Sequence, residues 1–124
     1  MSQTRIVIKP DNTIDEPAPL ACAPGDAITL VVENRHRDDQ NVWIDPDRIV
    51  HKHDGRKKNP LAHGKKSVRV AAGRIETIQQ QVRDKGEFEP GVVTRFKYTI
   101  EWDDGKGGQT REKDPDLEVT APPN

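Results

Sequence analysis

The chain has 124 residues, with 20 Lys plus Arg against 21 Asp plus Glu and a formal net charge of -1. That length fits one domain, residues 1–124, and the charge balance excludes a globally basic nucleic-acid-binding protein. With 31% apolar and 33% charged residues, only a small core can form, and a sheet is its expected form.

Residues 5–9 are a short β-branched run closed by Pro10, Asp11 and Asn12, which predicts a first strand and its turn. Pro17, Pro19 and Pro24 forbid a helix between them, so that stretch is loop or an irregular edge strand. After the turn signal Pro24-Gly25-Asp26, residues 27–34 form the most strand-like run, with Ile28, Leu30 and Val32 on one face, and predict a central strand. Residues 41–44 predict a fourth strand, stopped by Asp45-Pro46-Asp47. A short strand over 49–53 follows, and then a long basic loop that fills most of 48–66, punctuated by Asp54-Gly55 and Asn59-Pro60.

Ser67 to Ala71 alternates, with Val68 and Val70 facing inward. Residues 74–83 fit two readings. Ile75, Ile78 and Val82 make a helical stripe, but the same residues fit a strand with a bulge, and the strand is preferred. Residues 94–102 place Phe96, Tyr98, Ile100 and Trp102 on one face, the clearest amphipathic strand in the chain. A hairpin loop over 103–108 and a last strand at 117–119 precede a frayed tail, 120–124. Trp43 and Trp102 are both expected in the core. Seven or eight short strands with regular Pro and Gly punctuation predict an all-β fold, a single Greek-key β-sandwich of cupredoxin-like or immunoglobulin-like type.

Charge is distributed unevenly. Residues 48–69 hold eight basic side chains against Asp54 alone, a local charge of +7 that leaves -8 for the remainder. Arg56, Lys57, Lys58, Lys65 and Lys66 are the candidate contacts for an acidic partner, most simply another protein. A nucleic acid or other polyanion is the weaker expectation, because that segment has no aromatic residue to stack on bases. His51-Lys52-His53 on a strand would put two imidazoles on one face, and with His63 they are the candidate Zn(II) or Cu(II) ligands of the rival reading, although neighbouring cations repel a dication. Otherwise no cofactor is expected.

No Gly-x-Ser-x-Gly elbow, His-Glu-x-x-His pair or phosphate-binding glycine loop occurs, so an enzyme is not expected. Cys22 is the one cysteine, in a small apolar run that predicts an inert buried thiol. No apolar stretch approaches the roughly 20 residues of a membrane span, and residues 1–10 lack a signal pattern. A soluble, cytoplasmic protein is expected, or a periplasmic one if a signal has been removed.

The element order resembles that of the cupredoxins. The resemblance rests on Pro24-Gly25-Asp26 leading into residues 28–34, on Gln40-Asn41-Val42-Trp43-Ile44-Asp45, on residues 68–73, on the strand around Phe96, Tyr98 and Ile100, and on Leu117-Glu118-Val119. It implies a fold without the family's copper chemistry. Gln40 stands where copper-binding members carry a histidine, and the stretch after Tyr98 contains no Cys, His or Met, so the type 1 ligand set is missing.

Overall fold

A computed structural model describes residues 2–123, apart from the side chain of Lys85. The strands are β1 (Ser2–Ile8), β2 (Leu20–Cys22), β3 (Ala27–Asn34), β4 (Gln40–Ile44), β5 (Val50–His51), β6 (Lys66–Val70), β7 (Ile75–Gln81), β8 (Val93–Lys97), β9 (Ile100–Asp103), β10 (Arg111–Lys113) and β11 (Asp116–Thr120). Two short 3-10 turns, Pro46–Arg48 and Lys85–Glu87, are the helical content among the described residues. The fold is an all-β sandwich.

One layer is the sheet β1-β3-β7, with β1 parallel and β7 antiparallel to the central β3. Strict alternation in Ala27–Asn34 drives this arrangement. Ile28, Leu30 and Val32 are buried together with Ile6 and Ile8 of β1 and Ile78 of β7. Full burial of such side chains contributes about 1.5–3 kcal/mol each, offset by the entropy of ordering the chain.

The other layer is bent. Its two ladders, β2-β11-β8-β5 and β10-β9-β4-β6, are halves of one sheet folded along a line through residues 45–49, 98–99 and 114–115. The register between β10 and β9 continues unchanged between β11 and β8, and Tyr98 N donates to Pro115 O (3.0 Å) across the fold line. On the opposite side, β4 pairs with β9 and β5 with β8, but the register slips by three residues. The 3-10 turn Pro46–Arg48 takes up the slack, with the Asp45 side chain accepting from Asp47 N at its start. Thr99 Oγ1 donates to Asp114 Oδ1 (2.8 Å), and Asp45 N to Thr99 O (3.3 Å), stitching three strands at the bend.

The predicted single strand over 94–102 is therefore two, β8 and β9, on either side of this bend. Its inward face survives: Phe96, Tyr98, Ile100 and Trp102 are all buried. The three interrupted pairs, β4 with β5, β8 with β9 and β10 with β11, reduce eleven segments to eight strands, matching the count expected from the sequence.

Several expectations need correction. The region 74–83 is a strand with no bulge, because its register with β3 runs unbroken from Ala27–Gln81 to Glu33–Ile75. The helical-looking Ile75 is 49% exposed, on the opposite face from buried Ile78. Trp43 is only half-buried, since β4 turns it away from the core and Lys65 covers its ring at 4.6 Å. The tail is anchored through residue 122. Ala121 is buried, its N–H donates to Val92 O (3.2 Å), and Gly91 N donates to Ala121 O (3.1 Å); Asn124 lies outside the described residues. The three-residue β10 carries no apolar alternation and went unpredicted. The proline-rich stretch does yield an edge strand, β2, parallel to β11.

Candidate interaction surface

The predicted long basic loop is ordered by its own turn chemistry. Lys58 N donates to Ile49 O (3.0 Å), Val50 bridges Lys57, and His51 N donates to Arg56 O (2.8 Å). These bonds close a hairpin whose tip is Asp54-Gly55. Gly55 sits at φ +72, in the left-handed region that a side chain disfavours. Asp54 Oδ1 accepts from Arg56 N (2.9 Å) and lies 3.3 Å from His51 Nδ1. The Arg56 amide, with His51 alongside, holds the Asp54 carboxyl below its usual range. Arg56, Lys57 and Lys58 thus run back beside β5, held by the single bridge of Lys57 to Val50, with their side chains exposed.

Residues 59–64 then cross between the layers. Asn59 Oδ1 caps Leu61 N (2.9 Å), buried Leu61 bridges Val82, and Arg83 N donates to Pro60 O (2.8 Å). Lys65 and Lys66 follow, the first over the Trp43 ring and the second opening β6. The five predicted contact residues therefore occupy two elements, the hairpin and the start of β6, joined by this crossing segment.

Ion pairs engage many of the chain's cations, and Arg74, Arg83, Lys106 and Arg111 share with the five predicted contacts the lack of a carboxylate in range among the described residues. Arg5 pairs with Glu33 (2.6 Å), Lys9 with Asp15 (2.6 Å), Arg95 with Glu118 (3.1 Å), and Lys52 with Asp116 (3.4 Å); Arg48 bonds Glu112 and Glu101. Among the described residues, Arg56, Lys57, Lys58, Lys65 and Lys66 have no carboxylate in ion-pair range. Their charge is left uncompensated at the rim.

A cleft of about 590 Å³ adjoins the hairpin, lined by Lys58, Arg95, the acids Glu87 and Glu89, and the apolar Val92 and Val93 among others. Sequence reasoning missed its apolar floor. Val92 and Val93, 37% and 40% exposed, follow a Pro90-Gly91 turn, and adjacent exposed valines were the available signal.

The histidines are not arranged as the strand reading assumed. β5 ends at His51, and Lys52 to Asp54 turn away, so the period-two rule no longer places His53. The rings of His51 and His53 meet edge-on with centroids 6.1 Å apart. His63 stands in the crossing segment, beside Gly64, whose carbonyl accepts from Gln80 Nε2 (3.1 Å). Among the described residues no group of three His, Cys, Asp or Glu side chains is spaced to share a metal ion. Cys22 Sγ donates to Glu118 O (3.5 Å), and burial pushes its thiol up to about 11. No described helix is long and apolar enough to cross a membrane.

No protein-family model matches the chain, and no curated protein matches it. Among solved structures it is similar to the Escherichia coli chaperone DraB, at TM-score 0.57 and 17% identity over 97% of this chain and 53% of the chaperone. The chain thus spans about half the length of that neighbour. It is also similar to the PapD-like domain 7 of human CEP192, at TM-score 0.52 and 10% identity over 86% of this chain and 82% of the domain. The cupredoxin auracyanin B superposes at TM-score 0.40 and 15% identity over 95% of this chain and 88% of its own, which carries no argument for cupredoxin lineage. The likeness establishes the β-sandwich fold and nothing finer.

Proposed function

We propose that the protein is a non-catalytic interaction module that holds an acidic segment of another protein against its basic rim. The carrying observation is the set Arg56, Lys57, Lys58, Lys65 and Lys66, exposed and without carboxylate partners among the described residues, on a scaffold that otherwise pairs many of its cations. Uncompensated charge of one sign attracts the opposite sign and speeds encounter. Val92 and Val93 in the cleft beside Lys58 supply an apolar contact that charge alone lacks, while Glu87 and Glu89 on the same lining hold acidic side chains of the partner to the hairpin side. A sandwich that ties its loops down by short hydrogen bonds presents this surface with little ordering cost. The chaperone and PapD-like neighbours support a binding role for such a scaffold, though not a particular partner.

The test is an array of acidic, neutral and basic peptides probed with the wild type and with the variant Arg56→Glu, Lys57→Glu, Lys58→Glu. Selective retention of acidic peptides, weakened by salt and lost in the variant, is the expected result. Retention indifferent to peptide charge, or unchanged in the variant, defeats the proposal.

A further inference from the structure

The loop 35–39 between β3 and β4 is tied to one ring nitrogen. Asn34 is fully buried and clamps the loop at both ends. Its Oδ1 accepts from His36 N (2.9 Å), and its Nδ2 donates to Asp38 O and to Val70 O (2.9 Å each). Between these clamps Asp38 N donates to His36 Nδ1 (3.1 Å). A backbone amide is a donor only, so His36 Nδ1 offers a lone pair and the ring, neutral, holds its proton on Nε2. Gln40 Nε2 also reaches Nδ1 (3.4 Å), and that contact too is a donation, from the carboxamide. Two N–H groups thus converge on one nitrogen.

The other atom of the same carboxamide is idle. Gln40 opens β4 at the end away from the bend and is 1% exposed. Its Oε1 has no hydrogen-bond partner among the described residues. A buried oxygen without a donor is costly, and Nδ1 of the neutral ring has no proton to give it.

Protonation reverses the demand. An imidazolium donates from both nitrogens, so Nδ1 no longer accepts from Asp38 N or Gln40 Nε2. A half-turn of the Gln40 carboxamide brings Oε1 to the new N–H in place of Nε2 and gives the idle oxygen its donor. Asp38 N has no such adjustment and loses its acceptor. The Asp38 carboxylate, 3.8 Å from Nδ1, draws the charged ring toward itself.

His36 lines a cleft of about 400 Å³ in which three connections meet. Asp11 comes from the segment after β1, Asp104 and Arg111 from the β9–β10 hairpin, and Arg37 and Asp38 from the loop itself. Thr13 bonds Asp11 and holds its carboxyl below the usual range. Three carboxylates and two guanidinium groups give the cleft lining a formal charge of -1 with His36 neutral and zero with it protonated. Of the residue types present, imidazole alone ordinarily gains its charge between about pH 5 and 8.

We propose that His36 and Gln40 form a proton-operated switch. Protonation of His36 Nδ1 releases the Asp38 amide, turns the Gln40 carboxamide and removes the net negative charge of the cleft that the loop lines. The switch stands apart from the basic hairpin and does not depend on the acidic-partner reading.

The test is a titration of the isotope-labelled full chain from about pH 8 to 5, followed by NMR at the His36 ring nitrogens, the Asp38 amide and the Gln40 carboxamide. His36→Asn is titrated alongside, because an asparagine oxygen also accepts from the amide two residues on, as in an Asx turn, but does not titrate there. At the alkaline end Nε2 is expected to carry the proton and Nδ1 none. The Asp38 and Gln40 signals are expected to move with the His36 ring, and protection of the Asp38 amide to fall about tenfold or more. In His36→Asn both signals stay flat over the same interval. A proton on Nδ1 at the alkaline end overturns the switch, as does an Asp38 amide that ignores the His36 titration. The same response in His36→Asn, or loss of protection at all amides together, also overturns it. Should His36→Asn not fold, the tautomer and the shared titration in the wild type decide.

Discussion

The bend in the second layer turns on one buried hydroxyl. Thr99 is 3% exposed, and its Oγ1 donates to the Asp114 carboxylate at 2.8 Å, while Asp114 is exposed. Thr99→Val keeps the β-branched shape and removes only the donor. The bond involves a charged acceptor, for which a net contribution of about 1.5–3 kcal/mol is typical. Asp114 regains water when freed, so the expected loss sits at the lower end, about 1.5 kcal/mol. At roughly 2.1 cal/mol/K per residue, a chain of this length has an unfolding entropy near 260 cal/mol/K, and the midpoint falls by about 6 °C. Asp114→Ala breaks the same bond from the other side but strands a hydroxyl in the core, so it is expected to cost at least as much as Thr99→Val. Combining the two changes adds little to Thr99→Val alone. Urea unfolding and calorimetry of the four proteins measure this. A Thr99→Val variant within about 0.5 kcal/mol of wild type, or strict additivity of the two changes, refutes the stitched bend.

Gly55→Ala places a side chain at φ +72 with no steric neighbour within 4 Å, so it costs about 1 kcal/mol from backbone strain alone; chemical denaturation should report that, with faster amide exchange confined to residues 50–58. The Cys22 thiol is raised by burial from an ordinary value of 9.0 to about 11. The unfolded chain therefore ionises first, and Cys22 contributes stability below about pH 9 that is lost toward about pH 11. Cys22→Ala should remove that part of the alkaline slope, and an unchanged slope would show the thiol free to ionise in the fold. Calorimetric titration with Zn(II) should show no saturable one-to-one uptake, and stoichiometric uptake abolished by replacing His51, His53 and His63 with Ala would establish the metal reading instead.

Much of the architecture is written in local pattern. The alternation of Ile28, Leu30 and Val32 specifies β3 because a strand has only two faces, and the same logic finds the inward side of residues 94–102. Asp54-Gly55 marks its hairpin tip because glycine alone adopts that backbone at little cost. The proline-rich stretch announces an edge because proline has no donor for a central ladder. The eight basic residues of 48–69 were legible as charge.

Other features depend on which strands become neighbours, and periodicity does not encode that. The bend between β8 and β9 arises where Pro115 O, Asp45 N and the Asp114 side chain converge on Tyr98 and Thr99, partners drawn from two other strands. Residues 74–83 have apolar positions compatible with helix or strand, and β3, whose free side needs hydrogen-bond partners, decides between them. Trp43 lies beyond the reach of its own strand pattern, since its place under Lys65 depends on where β6 begins. Whether Arg56 to Lys58 are compensated is decided by which carboxylates the fold brings near. The lack of a ladder between β6 and β7 is likewise not written in the sequence, because which neighbouring strands pair is decided by the arrangement of every strand around them.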